Sequence, residues 1–323
     1  MKTVQIIGTG GTIAGVGKSY SYKSGKLYIS KLISDIPEIS DLANLKMKQM
    51  RNIDSSDITF EYWLRIAKYI NENSKNSEID GFVITHGTDT LEETAYFLNL
   101  TLKTKKPVII TGAMRPNTAL SADGKSNLYQ AVALAATGNN DLIGKGVLIV
   151  FSDTIYGARD IQKINSFKVE AFNHRDLGCL GYMIGKVPYF YNSSIKSHTY
   201  DTEFNICDVK DLPKVSIAYF YADADVEILE FLAKKSKGII IAGTGTGNCS
   251  KIWHKKIKSI LEKKIPIVRT SRVANGLVTS KKSILKYGIT ANTLSPQKAR
   301  ILLSLSLTKT KNLKEIDKIF KKY

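Results

Sequence analysis

The chain has 323 residues, 43% of them hydrophobic and 24% charged, which is enough for two domains with a core each. No run approaches the about 18 consecutive apolar residues of a membrane span, so no membrane partner is expected. The formal charge of +18 comes mostly from scattered lysines, several of them near the end (Lys309, Lys311, Lys314, Lys318, Lys321 and Lys322). Arginines interleaved with aromatics on one sheet are not visible, so a solvated basic surface is expected and no nucleic-acid partner. Cys179, Cys207 and Cys249 fit neither a disulfide framework nor a metal knuckle. No metal and no cofactor fingerprint is read.

From the N-terminus, Met1 to Ile7 runs straight into a strand-like segment without an apolar leader region. The expected compartment is therefore cytoplasmic, or periplasmic if a signal peptide has been removed. Val4 to Ile7, Gly81 to Thr85, Pro107 to Thr111 and Gly146 to Phe151 read as buried strands. Between them Phe60, Trp63, Leu64, Ala67 and Ile70 fall at helical spacing, as do Leu128, Val132 and Ala135. A hairpin interrupted by Gly185 is expected over Tyr182 to Tyr191. The polar stretch 192–211 follows and shows no clear period. Strands at Val215 to Tyr219, Gly238 to Ala242 and Pro266 to Thr270 then alternate with helices near Val226 to Lys235, Ser250 to Lys264, Pro296 to Thr308 and Leu313 to Lys321. Such alternation signals sheets covered by helices. The fold class is thus two α/β domains. The larger, 1–191, has a mostly parallel sheet with helices; 192–211 is the linker, and 212–323 is the smaller C-terminal α/β domain.

Ligands in open α/β sheets bind beyond the carboxyl ends of strands, and two such loops stand out. The first strand ends in Gly8-Thr9-Gly10-Gly11-Thr12-Ile13-Ala14-Gly15. A phosphate loop fails on spacing, because Thr12 stands where Walker A needs glycine and Ile13 where the dinucleotide fingerprint needs it. What remains is a threonine on a tight glycine turn, readable by itself as an ordinary turn residue or as a presented hydroxyl. The second loop, Thr85-His86-Gly87-Thr88-Asp89-Thr90, crowds hydroxyls and a carboxylate at a strand end. Thr90 or Asp89 suits a helix cap with Glu93 as its capping-box partner. Capping explains only part of this crowding of three threonines, a histidine and an aspartate at a strand end, which favours function for Thr88 and Asp89. His86 reads as a loop-orienting or core histidine more readily than as a base.

Thr9 to Gly15 and Gly81 to Thr90 together resemble the two signature motifs of the bacterial-type L-asparaginases. The resemblance continues through Gly112-Ala113-Met114-Arg115-Pro116, Ser121 to Gly124, Arg272-Val273 and Ser295 to Arg300, and so covers essentially the whole chain. It implies hydrolysis of L-asparagine to L-aspartate and ammonia, with Thr12 as the nucleophile that forms an acyl-enzyme. Thr88 is implied as a second hydroxyl, positioned with Asp89 and with Lys163 of Arg159-Asp160-Ile161-Gln162-Lys163. A lysine in a partly desolvated cleft can accept a threonine proton, whereas an unperturbed one near pKa 10.4 cannot at neutral pH. Tyr22 matches a mobile-loop tyrosine beside the nucleophile, in a Gly, Ser and Lys context that suits a lid. Ser55 and Asp89 match residues that hold the two ends of the substrate amino acid. Asn248 matches a residue that reaches a neighbouring subunit's site, which implies a homotetramer built as a dimer of dimers with shared active sites.

Two departures qualify the match. Ser56 stands where relatives carry Gln or Glu among the substrate-binding residues, and its side chain is shorter. Ser280-Lys281-Lys282-Ser283 shows no carboxylate where some relatives supply an acid from the neighbouring subunit. Weak or absent glutaminase activity is therefore expected. Two other readings are weighed. An amidotransferase subunit that releases ammonia for a partner resembles the chain only with extra N-terminal sequence. A binding protein that captures asparagine or aspartate is disfavoured by the retained Thr12, Thr88, Asp89 and Lys163.

Overall fold

The computed structural model describes residues 1–137, 142, 144–279 and 287–323. The chain forms two compact units, Met1–Asp208 and Val209–Tyr323. Strand β1 (Thr3–Gly10) runs into the loop of Thr12, after which β2 (Val16–Lys18) and β3 (Ser21–Lys23) form a small antiparallel ribbon. Helix α1 (Ile29–Ser34), β4 (Asn44–Ile53), α2 (Phe60–Asn73), β5 (Gly81–Thr85), α3 (Leu91–Thr101), β6 (Val108–Thr111), α4 (Gly124–Ala136) and β7 (Val147–Phe151) follow. The chain then reverses through β8 (Thr154–Gly157), β9 (Ile161–Lys163), β10 (Phe172–His174) and the hairpin β11 (Gly181–Ile184) and β12 (Val187–Phe190).

The first unit is built on an eight-stranded sheet in the order β12-β11-β8-β7-β6-β5-β1-β4. From β4 to β7 every pairing is parallel, whereas β7–β8, β8–β11 and β11–β12 are antiparallel. The inner strands β5, β6 and β7 are buried apolar runs without alternation because helices cover both faces. Val83, Ile109, Leu148 and Val150 pack in one core with Leu128, Val132 and Ala135 of α4 and Ile29 and Leu32 of α1. The helical spacing of Trp63, Ile66, Ala67 and Ile70 buries one face of α2, and Trp63 stacks on Phe97 of α3 with centroids 5.3 Å apart. Each such buried side chain contributes about 1.5–3 kcal/mol.

Strand β4 is absent from the sequence reading. It holds Lys46, Lys48 and Arg51, lies at the edge of the sheet and is largely exposed, so it has neither an apolar run nor a clean alternation to reveal it. The segment 192–211, expected as a linker, is irregular at its exposed start. Further on, His198, Thr199, Thr202, Phe204 and Ile206 are buried, and the Thr202 hydroxyl donates to the Leu100 carbonyl at 2.7 Å. Much of that stretch is therefore packed surface of the first unit.

The second unit holds the parallel sheet β13 (Val215–Tyr219), β14 (Gly238–Gly243), β15 (Ile267–Ser271) and β16 (Ile289–Thr290), in that order. Helices α5 (Glu227–Lys235), α6 (Lys251–Glu262), α7 (Pro296–Ser306) and α8 (Leu313–Lys322) accompany it. Ser250, Ser295 and Asn312 cap α6, α7 and α8 through their side chains, which ends each helix where hydroxyl or amide oxygens can take the first free N–H groups.

Candidate active site

Strand β1 lies between β4 and β5, and the chain crosses from one side of β1 to the other between them. A crevice beyond the carboxyl ends is expected at such a switch point. Three loops converge there: Gly11-Thr12 after β1, Ser55-Ser56 after β4 and Gly87-Thr88-Asp89 after β5. Their approach is very close. Gly11 has φ +80°, and a Cβ there would stand 2.3 Å from Gly87 Cα. Only paired glycines let the two backbones meet, so this contact brings Thr12 and Thr88 together.

Thr12, Ser19, Tyr20, Tyr22, Thr88, Asp89, Met114, Arg115, Lys163, Ser166 and Phe167 line one cleft of about 270 Å³. That is room for a single small polar molecule. Thr12 is sunk at its floor with 8% exposure, deeper than a presented turn residue. Its Oγ1 lies 2.9 Å from the Tyr22 hydroxyl. Tyr22 is carried on the β2–β3 ribbon and is 39% exposed, so the region read as a loose lid has local strand pairing.

Thr88, 4% exposed, accepts a hydrogen bond from Lys163 Nζ at 2.8 Å, and the same ammonium binds Asp89 Oδ1 at 2.6 Å. Lys163 comes from the last position of β9, 75 residues further along the chain. Glu92 fixes it there by accepting the Lys163 backbone N–H at 2.6 Å. Ser55 is buried, and its hydroxyl accepts from the Asp89 N–H at 3.2 Å while its carbonyl accepts from the Thr90 hydroxyl at 2.8 Å. These bonds explain why the second loop departs from a capping box. Thr90 is the N-cap residue of α3 but makes no side-chain cap, because its hydroxyl is committed to Ser55.

His86 lies behind this loop, fully buried. Its Nδ1 meets the Gly87 carbonyl at 2.7 Å and its Nε2 the Thr94 hydroxyl at 2.9 Å, while Thr94 accepts from Trp63 Nε1 at 2.7 Å. The geometry calls for a neutral ring with the proton on Nδ1. Burial pushes its pKa down to about 4, with the Gly87 bond opposing. The residue thus orients the loop and stays outside the cleft.

Residues 3–196 match the family described as "Asparaginase, N-terminal", and residues 214–320 match "Glutaminase/Asparaginase C-terminal domain". The chain belongs to the asparaginase and glutaminase family. It is 43% identical to "L-asparaginase 2" of Escherichia coli, covering 100% of this chain and 94% of that protein. Identity to the "Glutaminase-asparaginase" of Pseudomonas fluorescens biotype A is also 43%, over 100% and 91%. "Probable L-asparaginase periplasmic" of Haemophilus influenzae is 43% identical, over 100% and 93%. A crystal structure described as "Probable Cytoplasmic L-asparaginase from Campylobacter jejuni" is 45% identical, with a TM-score of 0.96 over 100% of both chains. The protein is thus an amidohydrolase of the L-asparaginase family.

Within this family frame, the remaining expected site residues divide. Ser56 is exposed, and its backbone N–H and hydroxyl both donate to Asp54 Oδ1 at 3.0 Å; it is not among the residues lining the cleft. Asn248 belongs to the second unit, where its backbone pairs with Thr244, and its side-chain amide lies 3.4 Å from the Thr246 hydroxyl. Ser280 to Ser283 lie outside the described residues. Phe167 and Glu92 were given no role from the sequence, and Arg115 appeared there only within a matched segment, without a role. Arg115 follows β6, so the strand-end rule could have found it; Glu92 and Phe167 had no such signal.

No group of three or more His, Cys, Asp and Glu residues among those described could hold a metal ion. None of the helices among them is long and apolar enough to cross a membrane.

Proposed function

We propose that the protein converts L-asparagine and water to L-aspartate and ammonia through a Thr12 acyl-enzyme, with weak or no glutaminase activity. The observation that supports this most is one small cleft with two buried threonines, each hydroxyl bonded to a different partner: Tyr22 for Thr12 and Lys163 for Thr88. In the first half-reaction Thr12 Oγ1 bonds to the side-chain amide carbon. The C–N bond breaks, and ammonia leaves with the proton that Thr12 loses. In the second, water attacks the ester, aspartate departs and the Thr12 hydroxyl is restored. Thr88, Asp89 and Lys163 form the polar corner that moves protons and orients water; Tyr22 steadies the Thr12 hydroxyl. Ser55, Ser56 and Asp89 hold the α-substituents, and Asn248 of a neighbouring subunit completes the site in a homotetramer of intimate dimers.

The glutaminase expectation rests on Ser56, whose hydroxyl is turned to Asp54, and on the residue types at Ser280 to Ser283. Relatives named as asparaginases and as glutaminase-asparaginases are equally similar to the chain, so family membership alone leaves the ratio open. Cytoplasmic location is inferred alongside, in line with the Campylobacter protein and against the periplasmic one of Haemophilus.

Ammonia release from asparagine and glutamine by the purified protein tests the reading, with Thr12→Val alongside. Thr12→Val is expected to lose at least about a thousandfold in kcat. Full activity in that variant, or equal kcat/KM on the two amides, overturns the mechanism or the specificity respectively. Retained binding of asparagine without turnover in the parent favours a binding protein instead.

A further inference from the structure

The first unit holds a second cavity, of about 210 Å³, that shares no lining residue with the catalytic cleft. Loops deliver most of its wall: Gly157 to Asp160 after β8, Gly178 and Leu180 before β11, and 192–196 after β12, with Lys145 ahead of β7 and Asn99 from α3. Asn192 fastens the last of these loops across the cavity. Its side-chain amide donates to the Leu177 carbonyl at 3.1 Å and its backbone N–H to the Leu180 carbonyl at 3.2 Å. Three cations line the cavity, Lys145, Arg159 and Lys196, against one carboxylate, Asp160. That carboxylate is already engaged: Oδ2 accepts from the Arg175 and Leu177 N–H groups at 3.0 and 2.8 Å, and Oδ1 lies 3.3 Å from the Asp176 nitrogen. Asn99 is 7% exposed. Its Oδ1 accepts from the Val147 N–H at 3.0 Å, whereas its Nδ2 donates to no acceptor among the described residues. A buried donor in that state is costly, and a bound acceptor would satisfy it.

We propose that this cavity is a second ligand site and takes a small organic carboxylate with a short apolar body. The carboxylate meets the Arg159 guanidinium, the Lys196 ammonium and the Asn99 amide, and the apolar body packs on Ala158 and Leu180, which are buried. Arg159 is itself only 8% exposed, and its planar fork suits a carboxylate. Burial first, and then the charge of Arg159, hold the Lys196 ammonium below the ordinary lysine range. Two like charges in one cavity repel, and an anion between them offsets both. Lys145 adds a third positive charge, with its ammonium 4.6 Å from the centre of the Phe190 ring. A bare inorganic anion would leave the apolar wall uncovered, and an uncharged apolar molecule would leave the cations unanswered, so the two halves of the lining together specify the ligand class. The segment Arg159 to Lys163 runs from this cavity to the catalytic cleft.

Isothermal titration calorimetry of the purified protein with isovalerate tests this, beside uncharged isoamyl alcohol and inorganic phosphate. The expected result is one site for isovalerate with a Kd of about 1 mM. The alcohol and phosphate each bind at least about tenfold more weakly. Lys196→Gln is expected to weaken isovalerate about fivefold, and Lys145→Gln about twofold, since its charge acts from further away. Lys163→Met, which alters only the catalytic cleft, leaves the affinity unchanged and so excludes capture of the probe there. No binding to the parent, equal affinity for the alcohol or for phosphate, or affinity lost in Lys163→Met overturns the proposal. So does unchanged affinity in a folded Lys196→Gln; if that variant does not fold, the three probes and Lys163→Met still decide. Ammonia release is not read in this titration, so the second site and the amidohydrolase reading fail separately.

Discussion

Thr12 and Thr88 end neighbouring strands, line the same cleft and are both almost fully buried, yet they are held differently. Thr12 is bonded to a phenol carried on a short, largely exposed ribbon whose two strands make only three residue pairings. Thr88 is bonded to an ammonium that is itself locked by Asp89 and, through the backbone, by Glu92 on α3. Behind it His86, Thr94 and Trp63 form a buried chain of hydrogen bonds. One corner can be opened by moving the ribbon; the other is built into the helix and sheet framework. A nucleophile gains from a partner that can withdraw as substrate arrives, and a proton-handling corner gains from fixed geometry.

Breaking the rigid corner should have the largest effect. Lys163→Met leaves Thr88 and Asp89 without the charge that joins them and is expected to lower kcat by about a thousandfold or more. Fold and thermal midpoint should change little, because the Asp89 carboxylate left without its partner is exposed to solvent. Circular dichroism with steady-state ammonia release checks this, and activity within tenfold of the parent would make Lys163 a merely structural neighbour.

Breaking the corner carried on the exposed ribbon should cost less. Tyr22→Phe removes the hydroxyl that meets Thr12 and is expected to lower kcat by about ten- to a hundredfold, with the ribbon intact. A loss as large as that of Lys163→Met would show that the two corners contribute alike.

The smallest effect concerns the support behind Thr88. His86 has a pKa of about 4 in the folded chain and about 6.5 when unfolded, so between these values the unfolded state binds more protons. Stability from this residue is present above pH 6.5 and is lost as pH falls toward 4, at up to one proton's slope. Urea midpoints across pH 4 to 7 should fall on acidification by that amount more in the parent than in His86→Gln. Parallel pH profiles would show that His86 titrates normally.

Much of the fold was legible because buried parallel strands are unbroken apolar runs and their covering helices keep a helical period. Edge strand β4 was missed because solvent on its outer side removes the need for either pattern. The same loss affects the Ser55 loop, which β4 delivers to the cleft and which no periodicity announces. Thr12, Thr88 and Asp89 could be singled out as strand-end residues without an apolar role. Lys163 could not: among many lysines its type carries no signal, and only the resemblance to the asparaginases raised it. Thr90 was misjudged as a side-chain cap because its alternative partner, the Ser55 carbonyl, lies 35 residues away in the chain.

By itself the sequence determined the two α/β halves, the asparaginase family and the two threonine loops, since each is written in local pattern or in contiguous motifs. The tertiary structure alone decided which partner each hydroxyl takes. It also decided that Gly11 and Gly87 bring the loops into contact, that His86 is sealed away from the cleft, and that Ser56 turns to Asp54. Apart from the local pair of Ser56 with Asp54 and the nearby one of Thr12 with Tyr22, these are pairings between segments far apart in the chain, made specific by close packing and by the need of buried polar groups to find hydrogen bonds.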